Sequence, residues 1–219
     1  MNRAKEYIDR WKTDYDFKTV TAAFGSLFVT AVFALYNGFL GIYHASLWHG
    51  TICVYYLVLV ILRGVIISAR KRTARERDPK QFQKKVYIAS AALLLLLNTC
   101  LVIPVSLMVI RLKPVNMSLI PAIAMAAYTT YKIIMASVHL NRRKRSSNSL
   151  IRLLRTINFI DALVSILSLQ NTLIMVNVKD DSAEMLTLSA ITSAAILLIV
   201  LAITIVTLRK GITALKSNG

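Results

Sequence analysis

Acidic side chains are scarce in this chain: ten Asp and Glu stand against 27 Lys and Arg, a formal net charge of +17. No apolar segment carries the paired carboxylates that general acid–base hydrolysis needs. Histidine is scarcer still. His44 and His49 fall at one end of the apolar segments and His139 at the other, so the three cannot share one metal ion. The two cysteines, Cys53 and Cys100, both sit inside apolar runs. That excludes a disulfide framework and leaves them as structural thiols. There is no Ser/His/Asp constellation and no GxxxxGK phosphate loop. These absences predict a protein that is not an enzyme and has no catalytic residues, no cofactor and no metal site.

What the chain has instead is long apolar runs. Of its 219 residues, 56% are hydrophobic, and the mean hydropathy is +0.59. Soluble domains seldom exceed about half apolar, and here the polar residues collect between greasy segments. Six runs, at roughly 19–43, 48–69, 86–110, 118–140, 157–177 and 186–208, each reach the roughly 20 residues that cross a bilayer core. The expected fold class is all-α: a polytopic membrane protein with a six-transmembrane-helix bundle. The first run is too long for a signal-peptide core and lacks a small-residue cleavage site, so it reads as a span.

The basic residues sort by segment. Five lie before the first run, eight between the second and third (Arg70 to Lys85), six between the fourth and fifth (Arg142 to Arg155), and three after the sixth. The opposite connections hold only Arg111, Lys113 and Lys179, while Arg63 and Lys132 lie inside runs. Such an asymmetry places both termini and the basic loops in the cytoplasm, and the protein as a multi-pass protein of the cell membrane. It implies the lipid bilayer as partner, with anionic lipids at the cytoplasmic face. No aromatic or Gly-rich recognition pattern accompanies the charge, so no nucleic acid is expected. Assembly into a homo- or hetero-oligomer is left open.

Residues 1–18 place Tyr7, Ile8, Trp11 and Tyr15 on one helical face, the pattern of an amphipathic segment lying at the membrane interface. The transmembrane domain then covers 19–208 and a short cytoplasmic tail 209–219, with no room for a further folded domain. Pro104 and Pro121 are expected to bend their helices. Asn-Thr recurs at 98–99 and 171–172, too short a match to mark a duplication. His44, Trp48 and His49 are expected to cap the first hairpin at the interface.

Polar residues recur at helical spacing. Asn158, Asp161, Ser165, Ser168 and Thr172 form one stripe on the fifth run. Thr19, Ser26, Thr30 and Asn37 share a face of the first run. His49, Tyr56 and Arg63 do so in the second, and Tyr128, Lys132 and His139 fall in one arc of the fourth. Lipid is the wrong environment for these faces, so they should converge in the bundle. Thr19, Ser26, Thr30, Ser165 and Ser168 are read as packing residues, and the sixth run, with Ser189 and Ser193, as a packing helix throughout.

The charged residues demand more. Asp161 lies six residues from Arg155 and Arg63 seven from Arg70, about 9 and about 10 Å from the same edge. Lys132 is ten residues from Arg142, about 15 Å deep. Arg63 either snorkels to the cytoplasmic face or pairs with Asp161, and Lys132 either shares Asp161 or waits for an anion. Two cations against one carboxylate give a positive interior that favours an anionic solute over a metal cation. Protonation of Asp161 or loss of the Lys132 proton would undo that balance.

The stretch "NRRKRSSNSLIRLLRTINFIDALVSILSLQ" resembles the loop into span five of the cation diffusion facilitator transmembrane domain, where an HxxxD motif supplies metal ligands. The six-span outline and basic second and fourth loops are also similar. Asp161 matches the Asp of the motif, but Ile157 stands at the His position. The second span carries Arg63 and no acidic ligand, and no family-type cytoplasmic domain is expected. The resemblance implies a shared fold whose zinc-type site is lost, not metal transport.

The expected function is a membrane protein of transporter-like build that moves or binds a small, anionic solute through an interior lined by spans one, two, four and five. Its substrate-binding or ion-pair residues would be Asp161, Arg63, Lys132, Asn158, Tyr56, Tyr128 and Asn37. The alternative is a non-transporting accessory or scaffold subunit of a membrane complex. A third reading is binding of lipid headgroups at the basic inner face.

Overall fold

The computed structural model describes residues 15–73, 75–111, 119–141, 148–176 and 183–216, and every regular element among them is α-helical. In chain order these are α1 (Tyr15–Tyr43), α2 (Leu47–Thr73), α3 (Pro79–Cys100), α4 (Val102–Arg111), α5 (Leu119–Asn141), α6 (Ser149–Val176) and α7 (Ala183–Lys216). Of the proposed interfacial segment 1–18, residues 1–14 lie outside the described residues, as do 74, 112–118, 142–147, 177–182 and 217–219, while the backbone of 15–18 belongs to α1.

The helices overrun the apolar segments. Arg70 to Arg72 belong to α2, Lys80, Lys84 and Lys85 to α3, Arg152 and Arg155 to α6, and Arg209 and Lys210 to α7. Assigning these cations to loops, and Arg209 and Lys210 to the tail, is therefore corrected: Lys and Arg are good helix formers, and a helix continues through them until a cap stops it. Pro79 in the first turn opens α3, where its missing N–H costs nothing. Asn148 caps α6, its Oδ1 accepting the N–H of Leu150 at 3.0 Å.

α3 and α4 are nearly one helix, interrupted by a turn at Leu101, three residues before Pro104. Proline cannot donate to the carbonyl one turn back, so the ladder loosens there. Leu101 and Val105 still bond Leu97 and Leu101, each at 3.3 Å.

α1 and α2 form a tight hairpin. Ala45 takes φ 48°, the left-handed turn that lets Ser46 N–H bond Gly41 O at 3.0 Å. A Cβ on Gly41 would lie 2.9 Å from the Gly50 nitrogen, so only glycine allows this approach. The other main pairings are α5 with α6 and α3 with α7, and α6 touches α1, α2, α3, α5 and α7. It is the central helix.

The packing is turned inside out relative to a soluble bundle. Phe28, Leu35, Ile42, Leu96, Ile120 and Leu198 are exposed, while Arg63, Lys132 and Asp161 are buried. Among the described residues four segments are long and apolar enough to cross a membrane, namely Phe24–Tyr43, Leu47–Thr73, Pro79–Ser106 and Thr187–Ala214. Ala122–Val138 is a shorter apolar helix.

Candidate functional site

α6 carries its polar stripe into the centre of the bundle. Asp161 is fully buried there, and a lone carboxylate at that position is costly unless a cation meets it. α2 supplies one: Arg63 Nη2 donates to Asp161 Oδ2 at 2.5 Å. α5 supplies a second, Lys132 Nζ, which bonds the same Oδ2.

α1 completes the arrangement. Ser26 and Thr30, one turn apart, face the two cations. Arg63 Nη1 donates to Thr30 Oγ1 at 3.0 Å and to Ser26 Oγ at 3.3 Å. Lys132 Nζ donates to Thr30 Oγ1 at 2.6 Å and to Ser26 Oγ at 3.5 Å. Thr30 Oγ1 donates its own hydrogen to Ser26 O at 2.7 Å, leaving its lone pairs for the cations. Reading Ser26 and Thr30 as packing residues is corrected. Each is short and polar at helical spacing, which suits packing and cation binding equally, and only the neighbours across the bundle decide.

Two ligating atoms remain orphaned: Asp161 Oδ1 and Arg63 Nε are buried without a hydrogen-bond partner. The cluster thus combines one surplus positive charge, an unpartnered donor and an unpartnered acceptor, all away from solvent.

An aromatic group roofs it. Phe33 of α1 stacks on Tyr128 of α5 with ring centroids 3.7 Å apart and planes 5° from parallel. Tyr56 of α2 meets both edge-on, at 5.9 and 5.8 Å. Lys132 Nζ lies 5.1 Å from the Tyr128 centroid, within cation–π reach. The hydroxyls of Tyr56 and Tyr128 are buried beside one another, and that of Tyr128 lies next to the Thr30 hydroxyl.

Of the sequence-derived set, Asp161, Arg63 and Lys132 meet directly, with Tyr56 and Tyr128 beside them. Asn158 sits one turn from Asp161, half-buried, its Oδ1 unpartnered. Asn37 does not join. Its Oδ1 lies 3.0 Å from His49 Nδ1 in the α1–α2 hairpin, about 10 Å along α1 from Thr30. Sharing a helical face fixes direction but not depth, and that correction moves Asn37 out of the site. Trp48 and His49 are buried at this same hairpin. The side chains of Thr19, Pro121 and His139 lie outside the described ones.

Farther along the stripe, contacts are structural. Thr129 Oγ1 bonds Ser165 O at 3.0 Å, and Thr172 Oγ1 bonds Ser168 O at 2.8 Å. A second polar chain crosses the bundle: Tyr55 OH donates to Asn98 Oδ1 at 3.1 Å, and Asn98 Nδ2 to Thr204 Oγ1 at 3.0 Å. Gln170 Nε2 donates to Ser189 Oγ at 3.0 Å and to Thr192 Oγ1. The last helix therefore does more than pack. Its Ser and Thr residues are receptors for amides that would otherwise be stranded. Asn98, a lone amide in an unbroken apolar run, was the available signal.

Cys53 is half-buried and Cys100 exposed, both free thiols. Among the described residues no three of His, Cys, Asp and Glu gather where a metal ion would need them.

Fold and site together define a class: an all-helical membrane protein with a buried cluster of two cations and one carboxylate. Comparison with protein families, curated proteins and solved structures finds no match to this chain.

Proposed function

We propose that this is a multi-pass cell-membrane protein of transporter-like build that binds a small anionic solute in the interior between α1, α2, α5 and α6. Six crossings are proposed, with α3 and α4 counted as one and the shorter α5 and the stripe-bearing α6 included. The positive-inside rule then puts both termini in the cytoplasm. One observation carries the reading: Lys132 and Arg63 converge on a single oxygen of Asp161. The surplus cation gives an incoming anion a counter-charge. Asp161 is the ligand it must displace, and the unpartnered Arg63 Nε is a further donor. Thr30 and Ser26 hold both cations while the carboxylate turns away.

The test is uptake of radiolabelled phosphate, sulfate and acetate into proteoliposomes. Saturable uptake of one of them should be lost in Lys132→Met and in Asp161→Asn. Absence of uptake of all three by the wild type, or uptake unchanged in both variants, overturns the reading. Burial of every charged member of the cluster favours a second reading, that of an accessory or scaffold subunit whose charges lock helix register. It predicts a fixed partner on purification and variants that lose stability alone.

A further inference from the structure

A cavity of about 910 Å³ opens between α3, α6 and α7, away from the Asp161 cluster. Its lining divides along the helix axes. Lys84, Arg152, Arg155 and Lys210 stand at the end where α3 and α6 begin and α7 finishes. No acidic residue is among the described lining residues. One to two turns deeper the wall becomes Phe159, Ala202, Ile203 and Val206. From Arg152 to Phe159 the drop is about 10 Å along α6. Arg155, only 7% exposed, stands between the two zones.

The close seat of α3 on α7 is built in. A Cβ on Gly211 would lie 2.8 Å from the Tyr87 ring, and Tyr87 OH donates to Thr207 O at 3.3 Å. A bare glycine therefore lets Tyr87 form one wall of the cavity.

The geometry points to a site for one membrane phospholipid of net negative headgroup, its phosphate among the four cations and the start of an acyl chain against the apolar wall. A free anion would gain the cations but leave the apolar wall wetted. A neutral apolar molecule would fill the wall and gain nothing from the positive charge at its rim. An anionic lipid satisfies both, in a volume ordinary for a ligand site. Near a membrane surface each Lys or Arg adds to the attraction for anionic lipid.

The experiment is native mass spectrometry of the full chain, released from detergent after incubation with equal amounts of phosphatidylglycerol and phosphatidylcholine of identical acyl chains. One phosphatidylglycerol should be retained, favoured over phosphatidylcholine by about tenfold or more. The double variant Arg152→Gln/Lys210→Gln should lose that preference, and Ala202→Trp should expel the lipid by filling the apolar wall. Arg72→Gln, an exposed cation on α2, should change nothing. Equal retention of phosphatidylcholine overturns the proposal, as does an Arg72→Gln loss as large as the double variant's. Displacement by inorganic phosphate at matching concentration assigns the site to a free anion and overturns it too. None of these residues belongs to the Asp161 cluster, so the result is independent of solute uptake.

Discussion

Arg63 Nη2 and Asp161 Oδ2 lie 2.5 Å apart although 98 residues separate them in the chain. The pair joins α2 to the central helix at a point with no solvent access, and Lys132 joins the same oxygen from α5. Three charges buried together make their removal unequal, and that inequality can be measured.

Asp161→Asn should be the most damaging of the three single changes, because it strands two buried cations. The expected loss is about 3–5 kcal/mol, the range for breaking a buried pair on one side. Lys132→Met leaves Arg63 and Asp161 as a neutral pair and should cost markedly less. The triple variant Arg63→Met/Lys132→Met/Asp161→Asn should recover much of what Asp161→Asn loses. Reversible unfolding in mixed micelles gives the order directly, and a triple variant weaker than Asp161→Asn contradicts it.

Thr30→Val keeps the shape and removes the hydroxyl that both cations use. Leaving charged donors short of a buried acceptor should cost about 1–3 kcal/mol, with Thr30→Ser restoring most of it. Thermal unfolding of the two variants side by side decides. A Thr30→Val midpoint equal to the wild type would show that Ser26 suffices.

Tyr128→Phe and Tyr56→Phe delete buried hydroxyls that meet each other and, for Tyr128, Thr30, so each should cost no more than about 0.5–1.5 kcal/mol. Phe33→Ala, by contrast, opens the stack and should cost about 3–5 kcal/mol. If Tyr128→Phe is stable yet slows anion uptake, the hydroxyl faces the solute.

The hairpin offers a paired control. Gly41→Ala puts a Cβ 2.9 Å from the Gly50 nitrogen and should splay α1 from α2, whereas Gly50→Ala meets nothing within 4 Å. Spin labels at exposed Leu35 and Val54 should report a longer distance in the first variant only. Equal distances in both would mean the approach is not set by Gly41.

Much of this was legible beforehand in the residues. The apolar runs announced an all-helical chain, four of whose described segments are long and apolar enough to cross a membrane, since a backbone in hydrocarbon must satisfy its own hydrogen bonds. Asp161, Arg63 and Lys132 stood out because charges inside such runs are expensive. Ser26 and Thr30 did not, because a hydroxyl can always bond its own helix and so leaves no energetic trace of a partner elsewhere. Asn37 looked equivalent to Thr30 on a helical wheel, which discards depth.

Sequence alone determined which segments are helical and apolar, and which side chains would be costly in lipid, because periodicity and transfer energy are local properties. The tertiary structure decided who meets whom: that one oxygen of Asp161 receives both cations, that α1 supplies the hydroxyls, and that four basic residues surround a separate cavity. Those pairings depend on the relative depth and rotation of helices distant in the chain, which no local pattern encodes.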